Sequence, residues 1–236
     1  MRAAFHSFES LAARDGIGLR CVCFLAGCPL RCVFCHNPDT WVAGEKEVES
    51  VDLVRKICRY RPYFGQNGGV TFSGGEPLLQ ADFLKETALL LQKEGISYVI
   101  DTSGSVPLSD SVRFVLKNSR QVLLDLKFWD EASYRRYTGG SLKPVLETLS
   151  FLDSIGKDVV LRTVVIPSVN DREEVLKKYL DRIRSFSCIS RYELLPFHTM
   201  GFFKYEKLGI QNPLASLPAM DESRCEALSK FVCENR

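Results

Sequence analysis

Three thiols fall within eight residues, Cys28-Pro29-Leu30-Arg31-Cys32-Val33-Phe34-Cys35, directly after a short β-branched run. Their spacing, and the Pro, Arg and Phe between them, place them on a loop rather than on one face of a helix. Thiolates on a short loop can converge on one metal centre. Iron–sulfur clusters usually take four cysteine ligands. Three leave one iron open, as three protein ligands leave an open position on a catalytic zinc, and an open iron can bind a substrate or cofactor. Two other readings stand beside this one. A closed zinc site needs a fourth ligand; His36 is too close in the chain to serve comfortably, so Cys21 or Cys23 would have to supply it. Buried core thiols are the second, and Pro29, Arg31 and His36 do not look like core. Cys58, Cys188, Cys225 and Cys233 are scattered and read as small buried hydrophobes.

Further polar and glycine residues punctuate the ends of apolar runs: Ser73-Gly74-Gly75-Glu76, Asp101-Thr102-Ser103-Gly104, Asp125 with Lys127, Arg162, and His198. Gly74 and Gly75 lack side chains, so backbone there can approach a ligand closely; the same residues also make an ordinary turn. Arg162 lies inside an apolar strand, Val159–Val165, where a charge faces either an interior site or solvent. A lone His such as His198 is more often structural, and its place just after Pro196 at a strand end sets a functional reading level beside that one.

The elements that must position these groups alternate. Strand-like runs at Leu19–Leu25, Val70–Phe72, Tyr98–Ile100, Gln121–Leu126, Val159–Ile166 and Tyr192–Leu195 are separated by helical spacing at Val51–Tyr60, Ala81–Glu94, Ser109–Lys117, Leu142–Ile155 and Val175–Phe186, with a terminal helix at Asp221–Cys233. Ser50 is the N-cap expected for the first helix, and Gly95 and Gly156 are the expected stops. Met200–Pro218 reads as an irregular loop. About six strand–helix units in series predict a parallel sheet covered by helices, curled into a barrel or doubly wound. In both, ligands sit at the C-terminal strand ends, where the punctuating residues fall. The 236 residues and 45% hydrophobic content suit one large α/β domain over 1–236. A net charge of +2 is too mild to argue for nucleic acid or an anionic membrane as the main partner. Nine cysteines, no visible secretory signal and no run of about 18 apolar residues point to the reducing cytoplasm.

The cysteine spacing, with an aromatic residue before the third thiol, resembles the signature loop of the radical S-adenosylmethionine superfamily. Asp15-Gly16-Ile17-Gly18-Leu19-Arg20, Cys35-His36-Asn37, Ser73-Gly74-Gly75-Glu76-Pro77, Asp101-Thr102-Ser103-Gly104, Asp125-Leu126-Lys127 and Leu194-Leu195-Pro196-Phe197-His198 follow in order. Together they resemble the pyruvate formate-lyase activating enzymes along nearly the whole chain. The resemblance implies a partial (β/α)6 TIM-like barrel with the cluster loop after its first strand, a [4Fe–4S] cluster on Cys28, Cys32 and Cys35, and reductive cleavage of S-adenosylmethionine. The resulting 5′-deoxyadenosyl radical would take a hydrogen from a backbone glycine of a large partner enzyme.

Residue by residue, the resemblance implies that Gly74, Gly75 and Glu76 meet the methionine part of the cofactor. Lys127, Arg162 and His198 would contact its nucleoside and carboxylate parts, Val164 and Leu195 its adenine, and Phe34 and His36 would wall the cluster and adenine. Asp101, Thr102 and Asp125 match a monovalent-cation site (Na+ or K+), chemistry that suits oxygen ligands; a solvated strand end is the alternative. Asp15 matches the aspartate that contacts the glycine segment of the partner. Ile17 stands where the family usually has proline, which would leave this loop less fixed or shape it for a different partner. Between Cys35 and Gly74 only Cys58 intervenes, so no second cluster module is expected, and reduced flavodoxin or ferredoxin would supply the electron by family analogy. Activation of another glycyl-radical enzyme, radical chemistry on a small molecule, and a non-catalytic metal-binding module are the competing functions.

Overall fold

A computed structural model describes residues 1–236. Its strands are β1 (Arg2–Ala12), β2 (Arg20–Leu25), β3 (Glu47–Glu49), β4 (Gly69–Gly74), β5 (Ser97–Thr102), β6 (Gln121–Asp125), β7 (Val159–Val165) and β8 (Ile189–Pro196). Its helices are α1 (Ser50–Cys58), α2 (Arg61–Phe64), α3 (Ala81–Lys93), α4 (Asp110–Asn118), α5 (Glu131–Thr138), α6 (Lys143–Ser154), α7 (Glu173–Ile183), α8 (Phe202–Leu208) and α9 (Glu222–Asn235).

The strands form one sheet in the order β3-β1-β2-β4-β5-β6-β7-β8. From β2 to β8 every neighbouring pair is parallel, while β1 runs antiparallel to β2 and β3 antiparallel to β1. A doubly wound sheet must reverse its order at a switch point. Among the parallel strands, β2-β4-β5-β6-β7-β8, the order never reverses, so the barrel alternative holds: these six strands make a partial barrel that stays open between its edge strands.

Side chains alternate across each strand. One parity of β5, β6 and β7 buries Val99, Leu123 and Val160 as a small cluster apart from the main core of 52 residues. The same parity, one step further along, carries Asp101, Asp125 and Arg162. The other parity packs against the helices; α3, for example, buries Phe83, Leu84, Ala88 and Leu91. Side-chain caps begin several helices: Ser109, Asp130 and Asp221 each accept from a backbone N–H three residues on.

Several sequence expectations shift. The cluster loop follows the first parallel strand, but an antiparallel strand, β1, precedes it. Ser50 is not the N-cap of α1: Glu49 takes that place and Ser50 opens the helix, its hydroxyl donating to Glu86. Helix α5 fills a stretch with no expected element, and α8 lies within the segment read as irregular. No helix is long and apolar enough to cross a membrane.

Candidate active site

At the C-terminal ends of the parallel strands lies a cavity of about 380 Å³. Cys28, Cys32 and Cys35 line it, together with Asp15, Phe34, His36, Gly74, Gly75, Asp101, Thr102, Asp125, Lys127, Arg162, Val164 and Leu195. Two of the expected site residues, Glu76 and His198, are not on its wall.

The loop bearing the thiols is held by backbone hydrogen bonds from outside it. Arg31 N–H donates to the Thr138 carbonyl at 2.8 Å and Val33 N–H to that of Tyr137 at 2.9 Å, at the end of α5. Cys28 N–H donates to the Trp41 carbonyl at 3.1 Å, and Cys35 N–H turns back to the Cys32 carbonyl at 3.0 Å. Cys32 is buried, Cys28 and Cys35 half-buried. Burial pushes the Cys28 thiol up to about 11 and Cys32 up to about 12, and raises Cys35 as well. These thiols hold their protons at neutral pH until a metal displaces them.

Cys21 and Cys23, the thiols that would have to complete a closed zinc site, are both fully buried on the face of β2 opposite to cavity-lining Phe24, which speaks against that site. A cluster instead spreads its thiolates over separate irons. Three soft donors on one cavity wall and no fourth thiol there fit a cluster with one iron left open.

Opposite the loop is a dense charge network. Arg162 donates through Nε to Asp125 Oδ1 at 3.1 Å, through Nη2 to the same oxygen at 2.9 Å, and through Nη2 to Asp101. Lys127 Nζ donates to Asp125 Oδ2 at 3.1 Å, and Ser73 Oγ to Asp101 Oδ2 at 2.7 Å. Burial alone would raise the Asp125 carboxyl, but Lys127 and Arg162 outweigh it and hold Asp125 below the usual range. Asp101 is pushed up by burial, with Arg162 opposing. Arg162 therefore faces the interior site and not solvent.

Beside bringing backbone to the cavity wall, the glycines have a second reason within the fold. A Cβ on Gly74 would lie 2.1 Å from the Leu25 carbonyl oxygen, and one on Gly75 2.2 Å from that of Gly27. The chain's own backbone, where β4 meets the start of the cluster loop, demands glycine at both. Glu76 is fully buried behind this turn. Its carboxylate accepts from Leu78 N–H at 3.1 Å, Thr102 Oγ1 at 2.7 Å, and Ser103 N–H and Oγ at 2.8 and 2.5 Å. Burial raises its pKa while these donors pull it back. Glu76 ties the β4 turn to the end of β5. Thr102 spends its hydroxyl proton on Glu76.

His198 packs edge-on against His36 with ring centroids 4.3 Å apart, so it backs a wall residue. Burial, then His198 and Lys204, lower the His36 pKa. Trp41, which the sequence suggests as packing, lines the cavity, beneath the Arg31 guanidinium 5.2 Å away. Phe24 also lines it and was not anticipated, and Ser73 and Ser103, which stand in the strand-end motifs without a role of their own, line it too. Strand parity was the available signal for two of them, since Phe24 and Ser73 share the inner face with Val22 and Thr71.

The family model described as Radical SAM superfamily matches residues 22–180. A pyruvate formate-lyase-activating enzyme of Clostridium pasteurianum is 41% identical over 231 residues, 97% of this chain and 96% of that one. Another, from Staphylococcus aureus strain USA300, is 36% identical over 241 residues, 98% and 96% of the two chains. This chain belongs to the radical SAM superfamily, among the pyruvate formate-lyase-activating enzymes. It is thus an enzyme of the activase type. Membership implies a [4Fe–4S] cluster and S-adenosylmethionine as cofactors and a glycyl-radical enzyme as protein substrate.

Solved structures share the fold. A domain of a pyruvate-formate lyase-activating enzyme from Bacteroides vulgatus superposes with a TM-score of 0.57 at 22% identity, covering 71% of this chain and 94% of that one. Streptococcus suis SuiB bound to S-adenosylmethionine gives 0.66 at 16% identity over 88% and 44% of the two chains.

Proposed function

We propose that this activase generates a glycyl radical on pyruvate formate-lyase. The observation that carries the reading is one cavity bringing the three thiols of the cluster loop face to face with the Asp101–Asp125–Arg162–Lys127 network. Held by Cys28, Cys32 and Cys35, a [4Fe–4S] cluster would supply the electron for reductive cleavage of S-adenosylmethionine, whose 5′-deoxyadenosyl part would take a hydrogen atom from the partner's glycine.

The chain's own residues bind and orient. Cys28, Cys32 and Cys35 hold the cluster. Phe34, Val164 and Leu195 offer apolar wall to a nucleobase and exclude water from it. Lys127 and Arg162 place fixed positive charge where a cofactor carboxylate can pair with it, and Asp101 and Asp125 keep those cations charged and in position. His36 shields the cluster side, with His198 behind it. Gly74 and Gly75 bring backbone to the wall, and Glu76 fixes that turn. Asp15, at the cavity rim, meets the partner's glycine segment.

A monovalent cation, Na+ or K+, would sit between Asp101 and Asp125 with Thr102 beside them. The two adjacent carboxylates, which draw the one Arg162 Nη2 to both, support that reading, and the metal cation would take the place of Nη2 between them. A reduced flavodoxin or ferredoxin would deliver the electron. Nine free thiols fit a reducing cytoplasm as the setting.

The test is anaerobic reconstitution with iron and sulfide, then S-adenosylmethionine and a strong reductant, with 5′-deoxyadenosine measured by chromatography. Production stimulated by a peptide carrying the glycine segment of pyruvate formate-lyase is the expected result. Production without stimulation would redirect the chemistry to another glycyl-radical enzyme or a small molecule. No product from cluster-loaded protein would leave only a metal-binding module.

A further inference from the structure

Arg20 is the largest fully buried side chain of the molecule, and no carboxylate meets it. Its guanidinium donates to Ile17 O at 2.7 Å, Asn67 O at 3.1 Å, Val70 O at 3.0 Å, Ser97 O at 3.2 Å and Thr71 Oγ1 at 3.0 Å. Burying a cation among neutral acceptors is costly, and a core built only for stability would place an apolar side chain there. Burial lowers its pKa to about 10, so it keeps its charge at neutral pH.

What the guanidinium gains is control of the loop between β1 and β2. Thr71 accepts from Arg20 Nε and donates its hydroxyl to the Asp15 carbonyl at 2.5 Å. The arginine fixes which way the threonine hydroxyl points, because a hydroxyl that accepts from Nε has its one proton free for Asp15. Gly16 and Gly18 take φ of +114° and +76°, and a Cβ on Gly18 would lie 2.6 Å from the Asn67–Gly68 backbone. The loop is wedged against the start of β4 and pinned at residues 15 and 17.

We infer that Arg20 and Thr71 are positioning residues that present Asp15 at the cavity rim to the partner's glycine segment. This rests on the reading of Asp15 as a partner contact.

The experiment uses cluster-loaded, S-adenosylmethionine-bound enzyme without reductant and measures its affinity for the glycine-segment peptide. Thr71→Val should weaken peptide binding about fivefold, the loss of one hydrogen bond's worth of order. Thr71→Ser, which keeps the hydroxyl, should restore it. S-adenosylmethionine affinity and peptide-free cleavage should stay as in the parent, whereas a general packing defect would lower them too. Amide exchange at residues 13–19 should accelerate in Thr71→Val. Arg20→Lys should shift binding and exchange the same way, and carries the test if Thr71→Val does not fold. Unchanged peptide affinity in a folded Thr71→Val, with affinity lost in Asp15→Asn, would overturn the inference. If Asp15→Asn itself binds the peptide normally, the partner-contact reading fails instead; exchange then decides the pinning, and unaltered exchange overturns it.

Discussion

Asp125→Asn tests the charge network with almost no change of shape. In the folded enzyme Asp125 accepts two bonds from Arg162 and one from Lys127, whose side chains are only 12% and 14% exposed. The amide can still accept from Arg162 through its oxygen, but its NH2 group then faces the Lys127 ammonium. Leaving one buried ion without its partner costs on the order of 3–5 kcal/mol, and the quarter of Asp125 that solvent reaches puts this case at the lower end. For 236 residues the unfolding entropy is about 0.5 kcal/mol per kelvin, so Tm should fall by about 6 °C at pH 7. The native pKa of Asp125 is depressed, so its stabilisation is present above the unfolded value, about 4, and is lost as pH falls through the folded one. Calorimetry of parent and variant from pH 7 downward should therefore show the gap narrowing only below about pH 4. A gap under about 2 °C at pH 7, or one unchanged to about pH 3, would refute the assignment of stability to this charge. Affinity for S-adenosylmethionine should fall about tenfold in the same variant, as Lys127 and Arg162 lose their fixed geometry, with iron content unchanged.

Cys32→Ala removes one of three cluster ligands, and anaerobic reconstitution followed by iron analysis should find no stable cluster. Glu76→Gln turns an amide NH2 toward donors that now meet a carboxylate oxygen, and should cost about 2–3 kcal/mol, read as the shift in urea midpoint. Tyr205→Phe removes the hydroxyl that donates to the Cys35 carbonyl at 2.9 Å, and should speed iron loss to a chelator about fivefold while leaving Tm nearly unchanged.

The parallel strands and their covering helices were legible because both faces of each strand are buried and their apolar runs stand out. The site was legible because its residues sit in dense local motifs. What sequence could not provide was orientation. Gly74 and Gly75 are fixed by the chain's own backbone at Leu25 and Gly27, a contact across a parallel strand pair that no local spacing encodes. Glu76 carries a charge and follows two glycines, which reads as ligand binding, yet all its acceptor positions serve the fold. Arg20 closes the Asp15–Arg20 run with no role that its type or spacing announces, since a buried arginine held only by carbonyls and hydroxyls has no pattern of its own.

Three of the elements without a sequence signal, β1, α5 and α8, share one task. β1 brings His6 to Asp39 at 3.1 Å; the end of α5 supplies the Thr138 and Tyr137 carbonyls to Arg31 and Val33; α8 sends the Tyr205 hydroxyl to Cys35 and Lys204 Nζ to Asn37 Oδ1 at 2.6 Å. All three brace the cluster loop from outside. The two helices are short and bind it through a pair of polar contacts each, so they need no wide apolar stripe: α5, Glu131–Thr138, buries only Tyr134 and Thr138, and α8 only Tyr205. Hydrophobic periodicity finds elements that build a core. It passes over elements whose work is to hold a loop still. A loop that must keep three thiols in register around a group absent from the newly folded chain needs such bracing more than it needs further apolar burial. The braces should therefore show their worth in how long the cluster is retained rather than in the melting temperature, which is the contrast that Tyr205→Phe measures.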